Sequence, residues 1–193
     1  MSERGASLEL VAVTADVRDR FIARLQASFD AGAEAYSRPD TADPDGADEP
    51  VISVGEILES MDKPGADSWE VRSGGDPVGG AVVSFTEGGR RRSLDLLFVD
   101  VEAQGNGLGA AIWLALENHY PDAEVWETMT PYEDTRNIHF YVNKCGFQIV
   151  EFFHPGHPAP HGHTSEGQGP PDLMFAFEKQ RMAGAGERGA ERR

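Results

Sequence analysis

The chain has 193 residues, 39% of them hydrophobic and 26% charged, proportions of a globular domain that exclude wholesale disorder. Acids outnumber bases 33 to 17, for a formal charge of −16 and a pI near 4.6, and so acidic a surface argues against nucleic acid as a partner. No run reaches the ~18 apolar residues of a membrane span, MSERGASLEL lacks the basic start and apolar run of a signal peptide, and the single cysteine, Cys145, permits no intrachain disulfide and fits a reducing cytoplasm.

Residues 8–13 (LELVAV) read as a short strand. Val17, Phe21, Leu25 and Phe29 then recur at helical spacing, which predicts a helix from about Asp16 to near Tyr36, with Thr14 or Asp16 as its cap. Residues 38–50 (RPDTADPDGADEP) mix prolines with acids and read as a solvated loop. A short helix over 55–61 is ended by Lys63-Pro64-Gly65, and three strands follow over 68–72, 78–85 and 94–101, separated by the hairpin-like turns SGGDP and EGGRRR. A helix over about 107–119 carries an apolar stripe of Leu108, Ala111, Ile112, Ala115 and Leu116. Residues 125–129 are a strand, 136–145 a helix with Gly146 just past its end, and 147–153 and 173–177 the last two strands. Residues 154–171, rich in His, Pro and Gly, do not form regular structure. The order β-α-α-β-β-β-α-β-α-β-β predicts an α/β layer arrangement with a mixed sheet: a single domain over 1–181, then a flexible tail over 182–193.

The most informative stretch is LDLLFVDVEAQGNGLGAAIWLAL, residues 94–116. An apolar strand enters a turn containing Gly105, Gly107 and Gly109, and a helix starts there. Unobstructed amides at the positive end of a helix dipole suit an anion such as a diphosphate, and glycine lets it approach without a Cβ in the way. The turn holds no Lys or Arg, so peptide dipoles carry that attraction. Gly105-x-Gly107-x-x-Ala110 also satisfies the dinucleotide-binding fingerprint, with Glu124 or Glu127 about 20 residues further on. The long polar loop before Gly105 and the late start of the pattern count against an oxidoreductase built that way, and no Gly-Lys-Ser/Thr follows to make a Walker loop.

Phe98-Val99-Asp100-Val101 followed by Gln104-Gly105-Asn106-Gly107-Leu108-Gly109 resembles the GNAT superfamily of acyl-CoA-dependent N-acetyltransferases, whose strand leads into Gln/Arg-x-x-Gly-x-Gly/Ala at a helix start. A second element, RNIHFYVNKCGF at 136–147, looks like the family's Asn…Tyr…Gly-Phe helix and strand. Tyr141 stands five positions before Gly146 where four is commoner, so this helix is expected to be a residue longer or bulged. The resemblance implies a mixed, mostly antiparallel central sheet of about seven strands flanked by about four helices, with acetyl-CoA as co-substrate. It also implies direct transfer of the acetyl group to a small-molecule or peptide amine, no resident metal, and a possible homodimer.

The resemblance carries roles as well. The thioester carbonyl is expected at a backbone N–H near Phe98 and Val99, the pantetheine arm along Val99 and Val101, and the diphosphate on Gln104, Gly105, Asn106, Gly107, Leu108 and Gly109. Asn137 matches a pantetheine contact, and Tyr141 matches the group that protonates the departing thiolate. An alkyl amine of pKa about 10.4 is neutral in roughly one molecule per thousand at pH 7, a handicap of about 4–5 kcal/mol that a base can offset. Glu127 is the first candidate base and Asp95 the second. A catalytically quiet acyl-CoA-binding domain remains the alternative from another class.

Residues 93–147 hold nine acids and two Lys/Arg, which hints at a cationic acceptor. Trp126, Tyr132, Phe152 and Phe153 offer an aromatic acceptor wall, with core packing expected for at least half of them. His154, His157, His161 and His163, with Glu166 and Asp172 nearby, invite a metal reading, but a Pro/Gly loop lacks the fixed backbone of a structural site and a mobile lid is preferred. Cys145 is expected to be packed rather than nucleophilic.

Overall fold

The computed structural model describes residues 7–34, 50–105, 107–159 and 173–181. The acidic loop up to residue 49, Asn106, residues 160–172 (with His161, His163, Glu166 and Asp172) and the tail from Met182 lie outside the described residues. Eleven elements follow in chain order: β1 Leu8–Ala12, α1 Arg18–Glu34, α2 Val54–Met61, β2 Asp67–Ser73, β3 Asp76–Thr86, β4 Arg91–Val99, α3 Leu108–His119, β5 Val125–Pro131, α4 Thr135–His139, β6 Gln148–Phe153 and β7 Met174–Gln180. The strands form one seven-stranded sheet in the order β1-β2-β3-β4-β5-β7-β6. The β1–β2, β2–β3, β5–β7 and β6–β7 ladders are antiparallel, so the sheet is not the open parallel sheet of a dinucleotide-binding fold.

Among the described residues, those up to 85 with 93–121 form one compact unit, and 86–92 with those from 122 onward form another. In the first, Phe21, Ile22 and Leu25 of α1, Ile57 of α2, Val82 of β3 and Leu96 and Phe98 of β4 make the core. Gly79 and Gly80 let helices close on both faces of β3. A Cβ on Gly79 would lie 3.1 Å from Ile112 Cδ1 of α3, and one on Gly80 2.5 Å from Phe21 Cε2 of α1. The β2–β3 hairpin turns on Gly74 and Gly75, both at positive φ (64° and 95°), in register with Ser73 opposite Asp76. Ser53 caps α2 in a reciprocal box with Glu56, whose backbone N–H donates to Ser53 Oγ at 3.2 Å. The core of the second unit is aromatic, with Trp126, Tyr141, Phe147, Phe153 and Phe177 buried.

Element order and type follow the sequence reading, but several boundaries differ, β5 running on to Pro131 and β7 to Gln180, and three of the differences bear on the site. β4 starts at Arg91 and stops at Val99, so Val101 is not in the strand but opens a 3-10 turn, Val101–Ala103. The Ala103 N–H donates to Asp100 O at 2.9 Å and the Gln104 N–H to Val101 O at 3.4 Å, a curl that ends the extended backbone. α3 begins at Leu108, because Gly107 at φ +74° is left-handed and stands outside it. The Tyr141 helix is α-helical only through His139 and then widens into a π-helical turn, Phe140–Cys145, in which the Gly146 N–H reaches Tyr141 O five residues back. That turn is the bulge that the five-residue spacing required.

Candidate active site

In the first unit the turn after β4 is open, with room for an anion to approach. Gly105 has φ +97° and Gly107 φ +74°, and a Cβ placed on either would meet nothing within 4 Å. Gly107 caps α3 without a side-chain hydrogen bond, and the first turn of α3 carries no acid. The Leu108 N–H is taken by Gly105 O at 3.3 Å, and the other leading N–H groups have the dipole behind them and no carboxylate of the first turn against them. The Gln104 amide donates back to Val99 O at 3.3 Å, tying the turn to the strand end. Val101 is 49% exposed, and a cleft of about 450 Å³ opens here, lined by Arg24 and Ser28 of α1, Pro77 and Val78 of β3, and residues 100–103. The chemistry of this corner suits the diphosphate and pantetheine of coenzyme A.

Asp95 lies in the same unit but is enclosed, its side chain 3% exposed. Ser93 Oγ donates to its Oδ1 at 2.6 Å and Lys63 Nζ stands 3.3 Å from Oδ2. The Oδ2 contact is an ion pair rather than a well-aligned hydrogen bond.

In the second unit, Glu127 on β5 lies directly opposite Glu178 on β7, and Arg91 bridges them. Arg91 Nε donates to Glu127 Oε1 at 2.9 Å and the guanidinium also engages Glu178. The hydrogen bond from Arg91 to Glu127, followed by that to Glu178, raises the guanidinium pKa against the opposing effect of its own desolvation. The Asn137 side-chain amide donates to Asp134 Oδ2 at 2.6 Å, while Asp134 Oδ1 caps α4 by accepting the Asn137 N–H at 2.8 Å.

Tyr141 is 8% exposed and packed among Phe140, Phe147 and Phe177, with ring centroids 5.4–5.7 Å away. Burial pushes its phenol up to about 12, and a hydrogen bond with Thr128 offsets part of that rise. Cys145 is buried.

The suggested aromatic wall divides evenly. Trp126 and Phe153 are core, whereas Tyr132 and Phe152 are 42% and 39% exposed and meet edge-on at 6.4 Å. His154 and His157 pair through their backbones, His157 Nε2 lies 2.6 Å from Glu151 Oε1, and among the described residues no group of His, Cys, Asp or Glu is arranged to hold a metal. No described helix is long and apolar enough to cross a membrane.

Sequence reasoning missed Arg91 and the half-buried network of Arg24, Arg72 and Asp100 around the buried Glu70. Their pairings span up to 87 positions, and the only local trace was Glu70 placed among apolar strand residues.

The fold is shared with solved structures at low identity. An acetyltransferase from Thermus thermophilus superposes with TM-score 0.61 at 14% identity, over 93% of this chain and 100% of that one. A Bacillus subtilis acetyltransferase in complex with CoA gives 0.60 at 17% identity, over 92% and 99%. Spermidine N-acetyltransferase from Vibrio cholerae, in complex with CoA and spermine, gives 0.59 at 14%, over 90% and 95%. The fold is thus that of the acetyltransferases. The acetyltransferase (GNAT) family pattern matches residues 31–147, and the chain belongs to that family. An uncharacterized Bacillus subtilis protein, YrkN, is 46% identical over 118 residues, a match that spans 61% of this chain and 64% of that protein's length.

Proposed function

We propose that the protein is a cytoplasmic N-acetyltransferase that moves an acetyl group from acetyl-CoA directly to an amine, without a covalent enzyme intermediate. The observation that carries this is the turn after β4: Gly105 and Gly107 open to solvent and a helix start that no side chain caps, in a chain of the GNAT family. These amides receive the diphosphate, the backbone at Phe98 and Val99 receives the thioester carbonyl, and Val99 and Val101 guide the pantetheine. Negative charge gathers on the carbonyl oxygen as the amine attacks, and a fixed peptide N–H there stabilises it without reorganisation.

Asn137 contacts the pantetheine, and Tyr141 serves the departing thiolate. A phenol at about 12 facing a thiolate of ordinary pKa about 8.5 makes full proton transfer uphill by roughly 5 kcal/mol. Tyr141 therefore acts by donating a hydrogen bond to the leaving sulfur, which lowers its charge while the phenol keeps its proton. Glu127 is the first choice for drawing the proton from the amine, through water, and Asp95 the second. Each becomes available when its cation withdraws, Arg91 for Glu127 and Lys63 for Asp95. The acceptor is a cationic amine: residues 93–147 carry nine acids and two Lys/Arg, and the Vibrio cholerae neighbour binds spermine.

Release of free thiol from acetyl-CoA, followed with polyamines, amino acids and peptide N-termini as acceptors, tests the proposal. Turnover with at least one cationic amine is expected. Coenzyme A binding with no turnover on any amine would instead make the chain a quiet acyl-CoA-binding domain.

A further inference from the structure

The anion turn has an unfavourable root. Asp100 and Glu102 precede it, and no Lys or Arg occurs over 100–109. A bare carboxylate at Asp100 would oppose an incoming diphosphate, and the structure answers that charge from α1. Arg24 grips Asp100 fork to fork, Nε to Oδ1 at 3.1 Å and Nη2 to Oδ2 at 2.6 Å, across 76 positions of sequence. Its remaining nitrogen, Nη1, donates to Glu70 Oε2 at 2.7 Å. Glu70 is 1% exposed, and Arg72 Nε holds its other oxygen at 2.8 Å. Arg24 is thereby fixed on both sides. The Asp100 N–H also donates to Val78 O at 3.0 Å, so backbone and side chain together set the direction in which the turn leaves β4. Arg24 and Asp100 line the cleft beside Val101, on a surface a ligand reaches.

We propose that Arg24 is a positioning residue for coenzyme A: by neutralising Asp100 it keeps a bare carboxylate from repelling the diphosphate at the turn of Gly105 and Gly107. This rests on the reading of that turn as a diphosphate site. A purely structural ion pair would affect all ligands alike, whereas this role depends on the ligand's phosphates.

Binding of coenzyme A and of pantetheine, which lacks the diphosphate, is measured for the whole chain and its variants, with a melting curve for each. Arg24→Met is expected to weaken coenzyme A about tenfold or more, roughly 1.4 kcal/mol, and to leave pantetheine within about twofold. Arg24→Lys falls between. Adding Asp100→Asn to Arg24→Met recovers most of the loss, and Asp100→Asn alone stays within about threefold of the parent, because a neutral side chain raises no repulsion. Equal losses for both ligands, an Arg24→Met chain that binds coenzyme A as the parent does, or a tenfold loss in Asp100→Asn alone would overturn the proposal. A parent chain that binds pantetheine but gains nothing from the diphosphate sinks the reading of the turn itself, and this proposal with it.

Discussion

Tyr141 carries a stability consequence that its position alone would not suggest. The folded chain keeps the phenol protonated up to about 12, against an ordinary value near 10. A raised acid binds its proton more tightly in the fold, so the associated stability is complete below pH ~10 and drains away as pH rises through about 12. The amount is about 3 kcal/mol across that window. Urea unfolding of the parent and of Tyr141→Phe should therefore differ in slope as pH rises from ~10 to ~12, the parent losing stability relative to the variant. Parallel pH profiles would show that the phenol is not held neutral by burial. The residue was legible from its spacing to Gly146, but its aromatic jacket was not, since Phe177 arrives from a strand that the local pattern does not connect to it. Glu127 and Asp95 were equally legible as carboxylates on strands. Their partners Arg91 and Lys63 were not, because ion pairs 32 to 36 positions apart leave no periodic trace.

Periodicity fixes what an element is more firmly than where it stops. The apolar stripes of α1 and α3 placed both helices because each buries one face, whereas the end of β4 depended on Asp100 turning toward Arg24. The π-helical turn was foreshadowed by counting, since one extra residue between Tyr141 and Gly146 has to be absorbed somewhere. Gly79 and Gly80 gave no warning of their role. Glycine inside a strand weakens it, yet here it lets β3 sit between two helices. A Cβ on Gly80 would also fall 2.7 Å from Phe98 Cε1 and 2.7 Å from Trp69 O, backbone that cannot move aside cheaply. Gly80→Ala should cost about 1–3 kcal/mol in denaturant unfolding. The matched Gly74→Ala, with nothing within 4 Å, pays only for its positive φ, about 1 kcal/mol. If Gly80→Ala proves no worse than Gly74→Ala, the close approach of α1 to β3 is not what the glycine serves.

At the scale of the molecule, the order of elements was readable and the order of strands was not. β7 lies between β5 and β6, with Phe177 opposite Thr128 and Ile149 and Phe175 opposite Thr130 and Phe152, pairings that no local signal announces. Net charge acts at this scale too. Under the proposed function, a chain of charge −16 would take up an anionic ligand through a turn with no basic residue. Dipoles act within the first helical turn, while the repulsion of the whole surface is long-ranged and screened by salt beyond about 10 Å at 0.1 M. Coenzyme A should therefore bind more tightly at ~0.15 M salt than at ~0.01 M, opposite to a lysine-rich phosphate site. Titration calorimetry of the full chain with coenzyme A at those two ionic strengths tests the central claim most directly. Saturable heat at a single ligand per chain, with the stronger affinity at the higher salt, is predicted; no heat at either would contradict it.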